Sequence, residues 1–368
     1  MKKATLKQIA QLAGVSMTTV HRALNGKGGC SREVEEHIRR IAEEQGYSIN
    51  VAASALRKQP LQIAMIFPFR DNGGRYGLDQ ILDGYLDFRR EAEGYNVVFQ
   101  EFLLRSGEKK LESYLDMEYP ELEKTLLQIY MEQPMRFDGV IIYGMSVTRK
   151  AEALLNRILG KGTQVVVMER LLPSMEDICT VKSDGVMAGN MAAELLCKQI
   201  RKSGTVAVIS QIIPGGDQAA QSCAESLQTE REDLKCTQIP LVMNVGLSAE
   251  IEEALKQIPD LAGIYATCGR HTSSLLEALK QIDTKTLTVI GTELFEESHQ
   301  ALKDRVLSAV LDKQPQKVGF MAVRILLEAL SKNQPLSGVQ YVEPHVILRA
   351  NSDLYLRKRK YLYDQYDG

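Results

Sequence analysis

Two uninterrupted apolar runs, Val140-Ile141-Ile142 and Val165-Val166-Val167, constrain the fold of this chain more than any other feature. Three consecutive branched residues leave no polar face for water, so each run suits a strand of a parallel sheet covered on both sides. Further strand candidates recur from Leu61 onward, at Gln62–Phe67, Asn96–Gln100, Asp138–Tyr143, Gln164–Met168, Thr205–Ser210, Gly263–Thr267 and Leu287–Gly291. Helical periods lie between them, for example over Met187–Ile200 and Ser273–Ile282, which implies repeated right-handed βαβ units. Residues 104–120, rich in charge and without a clear strand, read as a longer loop or an extra helical insert.

The first sixty residues have a different texture. Thr5-Leu6-Lys7-Gln8 fits a capping box, and Leu6, Ile9, Ala10 and Ala13 follow at helical spacing. Gly14-Val15 makes a tight turn, and Ser16 caps a second helix with Val20, Ala23 and Leu24 inward. Asn25-Gly26-Lys27-Gly28-Gly29 ends it. Ser31 caps a third, with Val34, Ile38, Ile41 and Ala42 inward, closing at Gly46. Two short helices joined by a glycine turn, completed by a third, make a helix-turn-helix. Its second helix exposes Met17, Thr18, His21 and Arg22; small polar residues there suit the major groove, and an Arg one turn on can reach guanine.

Bulk properties agree with that division. A length of 368 residues suits two or three domains, and 25% charged with 44% hydrophobic residues is ordinary for a globular protein. Residues 1–60 hold ten Lys or Arg against five Glu, a net of +5; the remainder holds 35 against 42, a net of −7. A basic segment on an acidic body points its N-terminal part at a polyanion. No apolar run is long enough for a membrane span, and the N-terminus lacks an apolar signal core, so a cytoplasmic location is expected. The six cysteines (Cys30, Cys179, Cys197, Cys223, Cys236, Cys268) form no C-x-x-C pair and read as reduced thiols; neither a metal nor a cofactor is expected.

The ordered match Thr5-Leu6-Lys7-Gln8-Ile9-Ala10, Ala13-Gly14-Val15-Ser16 and Thr19-Val20-His21-Arg22-Ala23-Leu24-Asn25-Gly26 resembles the headpiece of the lactose/galactose repressor (LacI/GalR) family. It continues through Gly46-Tyr47 and Asn50 to Ala53 and Leu56. The resemblance implies DNA contacts from Thr5, Leu6, Ser16, Met17, Thr18, Thr19, His21, Arg22, Asn25 and Ser31 in the headpiece. It implies others from Asn50, Ala53 and Leu56 in a hinge helix that forms on operator DNA, Leu56 being the minor-groove wedge. Val51 to Lys58 is short enough to be marginal alone, and an apolar wedge from each of two chains can kink a duplex. His21 and Ser54 depart from the family pattern, which more often has a small residue and an Arg there.

The body resembles the periplasmic sugar-binding-protein-like sensors of the same family. The matching pieces are Phe137-Asp138-Gly139-Val140-Ile141, Val165-Val166-Val167-Met168-Glu169-Arg170, Asp184 with Gly189 and Ala192-Ala193, Val289-Ile290-Gly291, Pro315 with Gly319 and Ala322, and Pro344 with Arg349. The implied architecture is an all-α headpiece (1–48), a hinge (49–60) and an α/β sensor (61–352) of two doubly wound parallel-sheet lobes. Lobe one takes about 61–184 and 315–334, and lobe two about 185–314 and 335–352, with crossovers near Asp184, near Pro315 and just after Gln334. Residues 353–368, including Arg357-Lys358-Arg359-Lys360, read first as a solvated tail and second as an extra contact to a partner subunit or DNA. Ligand should lodge between the lobes at the carboxyl ends of the strands. Candidate effector contacts are Tyr76, Glu169, Asp184, Gln221, Arg270 and Glu293. Cys268-Gly269, Gln221 and Lys313 stand where the family often has Asn-Asp, Arg and Gln.

The function implied is a DNA-binding transcriptional regulator, in the first place a repressor. It would bind a near-palindromic operator as a dimer or a dimer of dimers and answer to a small carbohydrate. An activator, or a sensor acting through a protein partner, is the alternative. An enzyme is disfavoured, because there is no G-x-S-x-G, H-E-x-x-H, P-loop or kinase signature, and the Ser146 stretch lacks the second glycine of a nucleophile elbow. A transport binding protein would share the sensor fold but would not carry the helix-turn-helix.

Overall fold

In the computed structural model the described residues are 6–24, 31–44, 59–68, 76–91, 96–104, 120–131, 137–175, 177–213, 215–242 and 246–356. Three helices come first: α1 (Leu6–Leu12), α2 (Met17–Leu24) and α3 (Arg32–Glu44). Ile9, Ala10, Val20, Ala23 and Ile38 form their common core, as the apolar spacing requires. The Ser16 hydroxyl accepts from the Thr19 amide at 3.1 Å, and the Ser31 hydroxyl from the Val34 amide at 3.4 Å, so both expected caps are made. Gly14, with φ 65°, takes the left-handed step between α1 and α2. Thr5, Asn25, Asn50, Ala53, Leu56 and the whole expected hinge helix lie outside the described residues.

The remainder builds two six-stranded sheets. The first contains β1 (Leu61–Pro68), β2 (Val97–Leu104), β3 (Gly139–Tyr143), β4 (Gln164–Met168), β5 (Cys179–Ser183) and β11 (Gly338–Val342), in the order β11-β5-β4-β3-β1-β2 and parallel throughout. The second contains β6 (Gly204–Gln211), β7 (Leu234–Leu241), β8 (Leu261–Ala266), β9 (Thr288–Thr292), β10 (Ala309–Asp312) and β12 (His345–Ile347), in the corresponding order β12-β10-β9-β8-β6-β7. Only β12 runs antiparallel to its neighbour. The apolar runs alternate between two covered faces. Val140, Ile142, Val165 and Val167 pack on one side with Leu155 and Ile158, while Ile141, Tyr143, Val166 and Met168 pack on the other with Leu326.

The covering helices are α4 (Leu78–Glu91), α5 (Pro120–Met131), α6 (Arg149–Leu159) and α12 (Pro315–Lys332) on the first sheet. On the second are α7 (Gly185–Gln199), α8 (Gln218–Glu230), α9 (Ser248–Lys256), α10 (Gly269–Ala278) and α11 (Glu296–Lys303). Two boundaries differ from the sequence reading. The third crossover falls between Val342 and His345, not just after Gln334, because β11 adds to the first sheet through pairs from Gly338↔Cys179 to Val342↔Ser183. Residue 353 does not begin a free tail either. Asp353 is 2.6 Å from Lys303 Nζ and 3.2 Å from His299 Nε2, and Tyr355 and Leu356 pack against the core of the second lobe. Residues 105–119 and 357–368 lie outside the described residues.

One helix pair in each lobe meets at a glycine. A Cβ on Gly319 of α12 would lie 1.9 Å from Ile81 O, and one on Gly84 of α4 would lie 1.8 Å from Gln316 O. In the other lobe a Cβ on Gly189 would lie 2.1 Å from Ser222 Oγ. Gly319→Ala should therefore push α4 and α12 apart and destabilise the sensor by about 1–3 kcal/mol, read as a lowered urea midpoint. Gly160→Ala is the control, since its nearest contact would be 3.4 Å; equal losses from both changes would contradict the close-packing account.

Candidate effector cleft and nucleic-acid interface

Corresponding strands of the two sheets end in the same way. Glu169 follows β4 and Glu293 follows β9, each at φ 66°. Each amide donates to the adjacent strand at 2.9 Å, Glu169 to Val181 O and Glu293 to Leu311 O. Left-handed backbone costs a non-glycine residue about 1 kcal/mol, so two glutamates there represent strain at matched positions. Glu293 is 5% exposed.

Two lysines join the carboxylates. Lys313 Nζ donates to Thr267 O at 3.1 Å. Burial opposes its charge, but Glu293 and Glu169 outweigh burial and its pKa is raised. Lys182, on β5, has its pKa lowered by burial, against the pull of Glu169 and Asp184. Its ammonium donates to Gln218 Oε1 at 2.7 Å, from the first lobe to the second. The Ser183 hydroxyl reaches Glu169 Oε1 at 2.9 Å and Lys313 O at 3.0 Å.

Tyr76 makes a second link between lobes. Its hydroxyl donates to Ser273 Oγ at 2.8 Å and its ring meets Phe295 edge-on, centroids 4.7 Å apart. Asp184 accepts from the Met187 amide at 2.9 Å as the N-cap of α7. Arg270 is half-buried in the first turn of α10. Gln221 is exposed and faces Gly216, so the glutamine that reaches across the lobes is Gln218, one turn earlier. Arg170 is committed to its own lobe, donating to Val147 O at 2.7 Å. The sequence reading missed Lys182 and Gln218. For Lys182 the available signal was a lone cation inside Thr180-Val181-Lys182-Ser183, just before the helix-capping Asp184.

In the headpiece Met17 is 52% exposed at the start of α2, and Thr19 stands one turn in with its hydroxyl 2.9 Å from Ser16 Oγ. Leu6, Thr18, His21 and Arg22 lie on α1 and α2. No helix among the described residues is long and apolar enough to cross a membrane. No group of three or more His, Cys, Asp or Glu among them is placed to hold a metal.

A helix-turn-helix joined to a two-lobed, doubly wound binding domain defines a class of ligand-sensing regulator, and comparison with known proteins agrees. Residues 5–50 match the model of bacterial regulatory proteins, lacI family, and residues 128–334 match the periplasmic binding protein domain, which alone takes in more than half of the chain. The chain belongs, through the domain that takes in more than half of it, to the periplasmic binding protein family, and it carries a lacI-family helix-turn-helix domain in residues 5–50.

It is 49% identical over 76 residues to the ribitol operon repressor of Klebsiella aerogenes, covering 20% of this chain and 28% of that one. It is 30% identical over 198 residues to the maltose regulon regulatory protein MalI of Escherichia coli, covering 54% and 51%. The chain thus spans between about a quarter and a half of these relatives. A glucose-galactose binding protein, GanP, from Geobacillus stearothermophilus shares the sensor fold with a TM-score of 0.65 at 19% identity, over 80% of this chain and 99% of that one. A putative LacI transcriptional regulator from Bacteroides fragilis does so with a TM-score of 0.65 at 15% identity and the same coverage.

Lys313→Met should leave the two carboxylates without their shared cation and cost about 1–3 kcal/mol of stability at neutral pH. Adding Glu293→Gln should recover part of that loss in a double-mutant cycle by urea denaturation. Strict additivity of the two changes would show that Lys313 and Glu293 do not interact.

Proposed function

We propose that this protein is a transcriptional regulator, a repressor in the first place, that binds a near-palindromic operator as a dimer and releases or grips it according to a small polyhydroxylated effector in the cleft. The observation that carries the reading is the joining, on one chain, of a helix-turn-helix to a cleft whose lobes are bridged by side chains from both sides. Glu169 and Glu293 present carboxylate acceptors suited to hydroxyl groups, and Tyr76 with Phe295 supplies an apolar wall. The names of similar proteins support the same class of effector, among them the ribitol operon repressor and the glucose-galactose binding protein. The reading places the protein where the operator is, in the cytoplasm, and assigns it no reaction.

A single headpiece offers too few contacts for strong specificity, and two-fold pairing presents two to a palindrome. The hinge proposed for residues 49–60 would convert a change of lobe angle into a change of DNA affinity, with Leu56 as its minor-groove wedge. Selection of bound fragments from genomic DNA, followed by a screen of sugars and polyols for release, tests the whole reading; no enriched sequence would end it.

Arg22→Ala should cost about 1–3 kcal/mol per half-site and relax base preference, whereas Lys7→Ala should weaken all sequences evenly and flatten the salt dependence. Binding curves at several salt concentrations measure both. An unchanged operator preference in Arg22→Ala would remove α2 from the role of recognition helix.

A further inference from the structure

A left-handed residue at the second crossover is held by side chains that the regulator reading does not use. Gln314 stands at φ 53° between β10 and α12. Its side-chain Nε2 meets two groups at once, the Glu343 carbonyl at the third crossover and His345 Nε2, the latter at 3.2 Å. On the other side of the imidazole, Nδ1 lies 3.3 Å from the Tyr355 hydroxyl, and the two rings meet edge-on with centroids 5.8 Å apart. Tyr355 belongs to the segment beyond residue 352, anchored on the second lobe by the ion pair of Asp353 with Lys303.

Donors and acceptors fix the state of this ring. A carbonyl oxygen only accepts, so the group that Gln314 turns to Glu343 is its NH2, and the amide cannot be reversed. The second hydrogen of that NH2 serves His345, whose Nε2 must then present a lone pair. His345 is therefore neutral, with its hydrogen on Nδ1 and donated to the Tyr355 oxygen. An imidazolium would set an N–H against the NH2 of Gln314, donor against donor, and the contact would be lost.

A place for the charged ring lies alongside. His345 is directly opposite Asp312 in the antiparallel pairing of β12 with β10, so both side chains leave the same face of the sheet. Asp312 is buried, and its Oδ1 accepts the backbone amide of Gln314 at 3.3 Å. The charged and titratable groups about His345 are thus Asp312 on β10, Glu343 two residues before it and Tyr355 on the C-terminal segment, while Asp353 is engaged by Lys303 and His299. An imidazolium drawn to Asp312 would compete for the carboxylate that holds the Gln314 backbone. Protonation acts on both attachments of one residue.

We propose that His345 is an acid-operated catch on the hinge. Neutral, it ties the second crossover to the third through Gln314; protonated, it turns to Asp312 and frees Gln314. Only a proton is exchanged, gained from solvent at Nε2 and returned the same way. Histidine suits the step, because an imidazole changes charge between about pH 5 and 8. Tyr355 sets the catch by offering Nδ1–H an acceptor, which favours the tautomer with Nε2 bare. The catch belongs to the hinge and works whatever the cleft binds.

Full-length protein carrying nitrogen-15-labelled histidine tests this without operator or effector. The His345 signals, assigned by their loss in His345→Gln, should show Nδ1 protonated and Nε2 bare at about pH 7.5, and Nε2 protonated by about pH 5. Backbone hydrogen exchange of the peptide covering residues 311–318, corrected with unfolded protein at each pH, should quicken about tenfold across that step. In His345→Gln, whose Oε1 accepts from Gln314 at any pH, the peptide should keep the slow rate throughout. Gln314→Met, which removes the NH2 and leaves the histidine, should exchange fast at both ends of the titration. A ring with its hydrogen on Nε2 near neutral pH, a ring that stays neutral to about pH 5, or a full acid response retained by either variant would overturn the proposal.

Discussion

Three chain segments pass between the lobes, and each pair of them is tied by a hydrogen bond. The Ser183 hydroxyl on the first crossover donates to Lys313 O on the second, at 3.0 Å. The Asp184 amide donates to Val342 O at the third, at 2.9 Å. Gln314, held at φ 53° as the N-cap of α12, closes the triangle by donating its side-chain amide to Glu343 O. Two sheets with covered faces are stiff bodies, so movement between them has to pass through these few residues. The same residues abut the cleft: Lys182 precedes Ser183, and Lys313 precedes Gln314. The lysines that set the charge of the cleft are thus immediate sequence neighbours of the residues that tie the crossovers.

The glycine-mediated approach of α4 and α12 extends that control. α12 begins at the second crossover, and its Gln316 donates to Asp87 Oδ2 of α4 at 2.5 Å, next to the contact between Gly84 and Gln316 O. Tyr76, whose hydroxyl clasps Ser273 of the other lobe, lies two residues before the start of α4. A rotation at Gln314 is therefore carried by two locked helices to the clasp at the mouth of the cleft. Without the close approach at Gly84 and Gly319, hinge and clasp would move independently.

The legible parts of the fold are those whose burial is symmetric. β3 and β4, buried on both faces at the centre of a sheet, read directly as apolar runs, and β4 ends where the sequence placed it. The missed strands are β5, β7, β10, β11 and β12. β7 and β11 lie at the edges with several exposed positions, so Leu234–Leu241 and Gly338–Val342 show no sustained apolar run. β10 has only four residues. The misplaced third crossover follows from β11: an unrecognised strand cannot be assigned to a sheet. In the cleft, Glu169 and Glu293 are legible because each directly follows a recognisable strand. Gln218 is not, since a polar residue early in a helix looks the same from sequence whether it faces water or a neighbouring lobe.

The matched glutamates show what the cleft requires. Their left-handed conformation would be easiest for glycine, and a glycine would still let each amide donate to the neighbouring strand, as Glu169 does to Val181 and Glu293 to Leu311. Backbone geometry alone therefore does not call for a carboxylate. Packing does not call for one either, because burying a charge is unfavourable until Lys313 offsets it. Two positions related by the repeat of the lobes combine backbone strain with a carboxylate, buried at Glu293 and half-buried at Glu169, and both stand at the carboxyl ends of their strands. Such a combination persists where the side chain does something that glycine could not. Lys313, raised in pKa by both carboxylates, senses the two lobes together. Under the function proposed above, a hydroxyl-bearing molecule that donates a hydrogen bond to either glutamate would alter that balance, and the backbone of Lys313 is one corner of the hinge triangle.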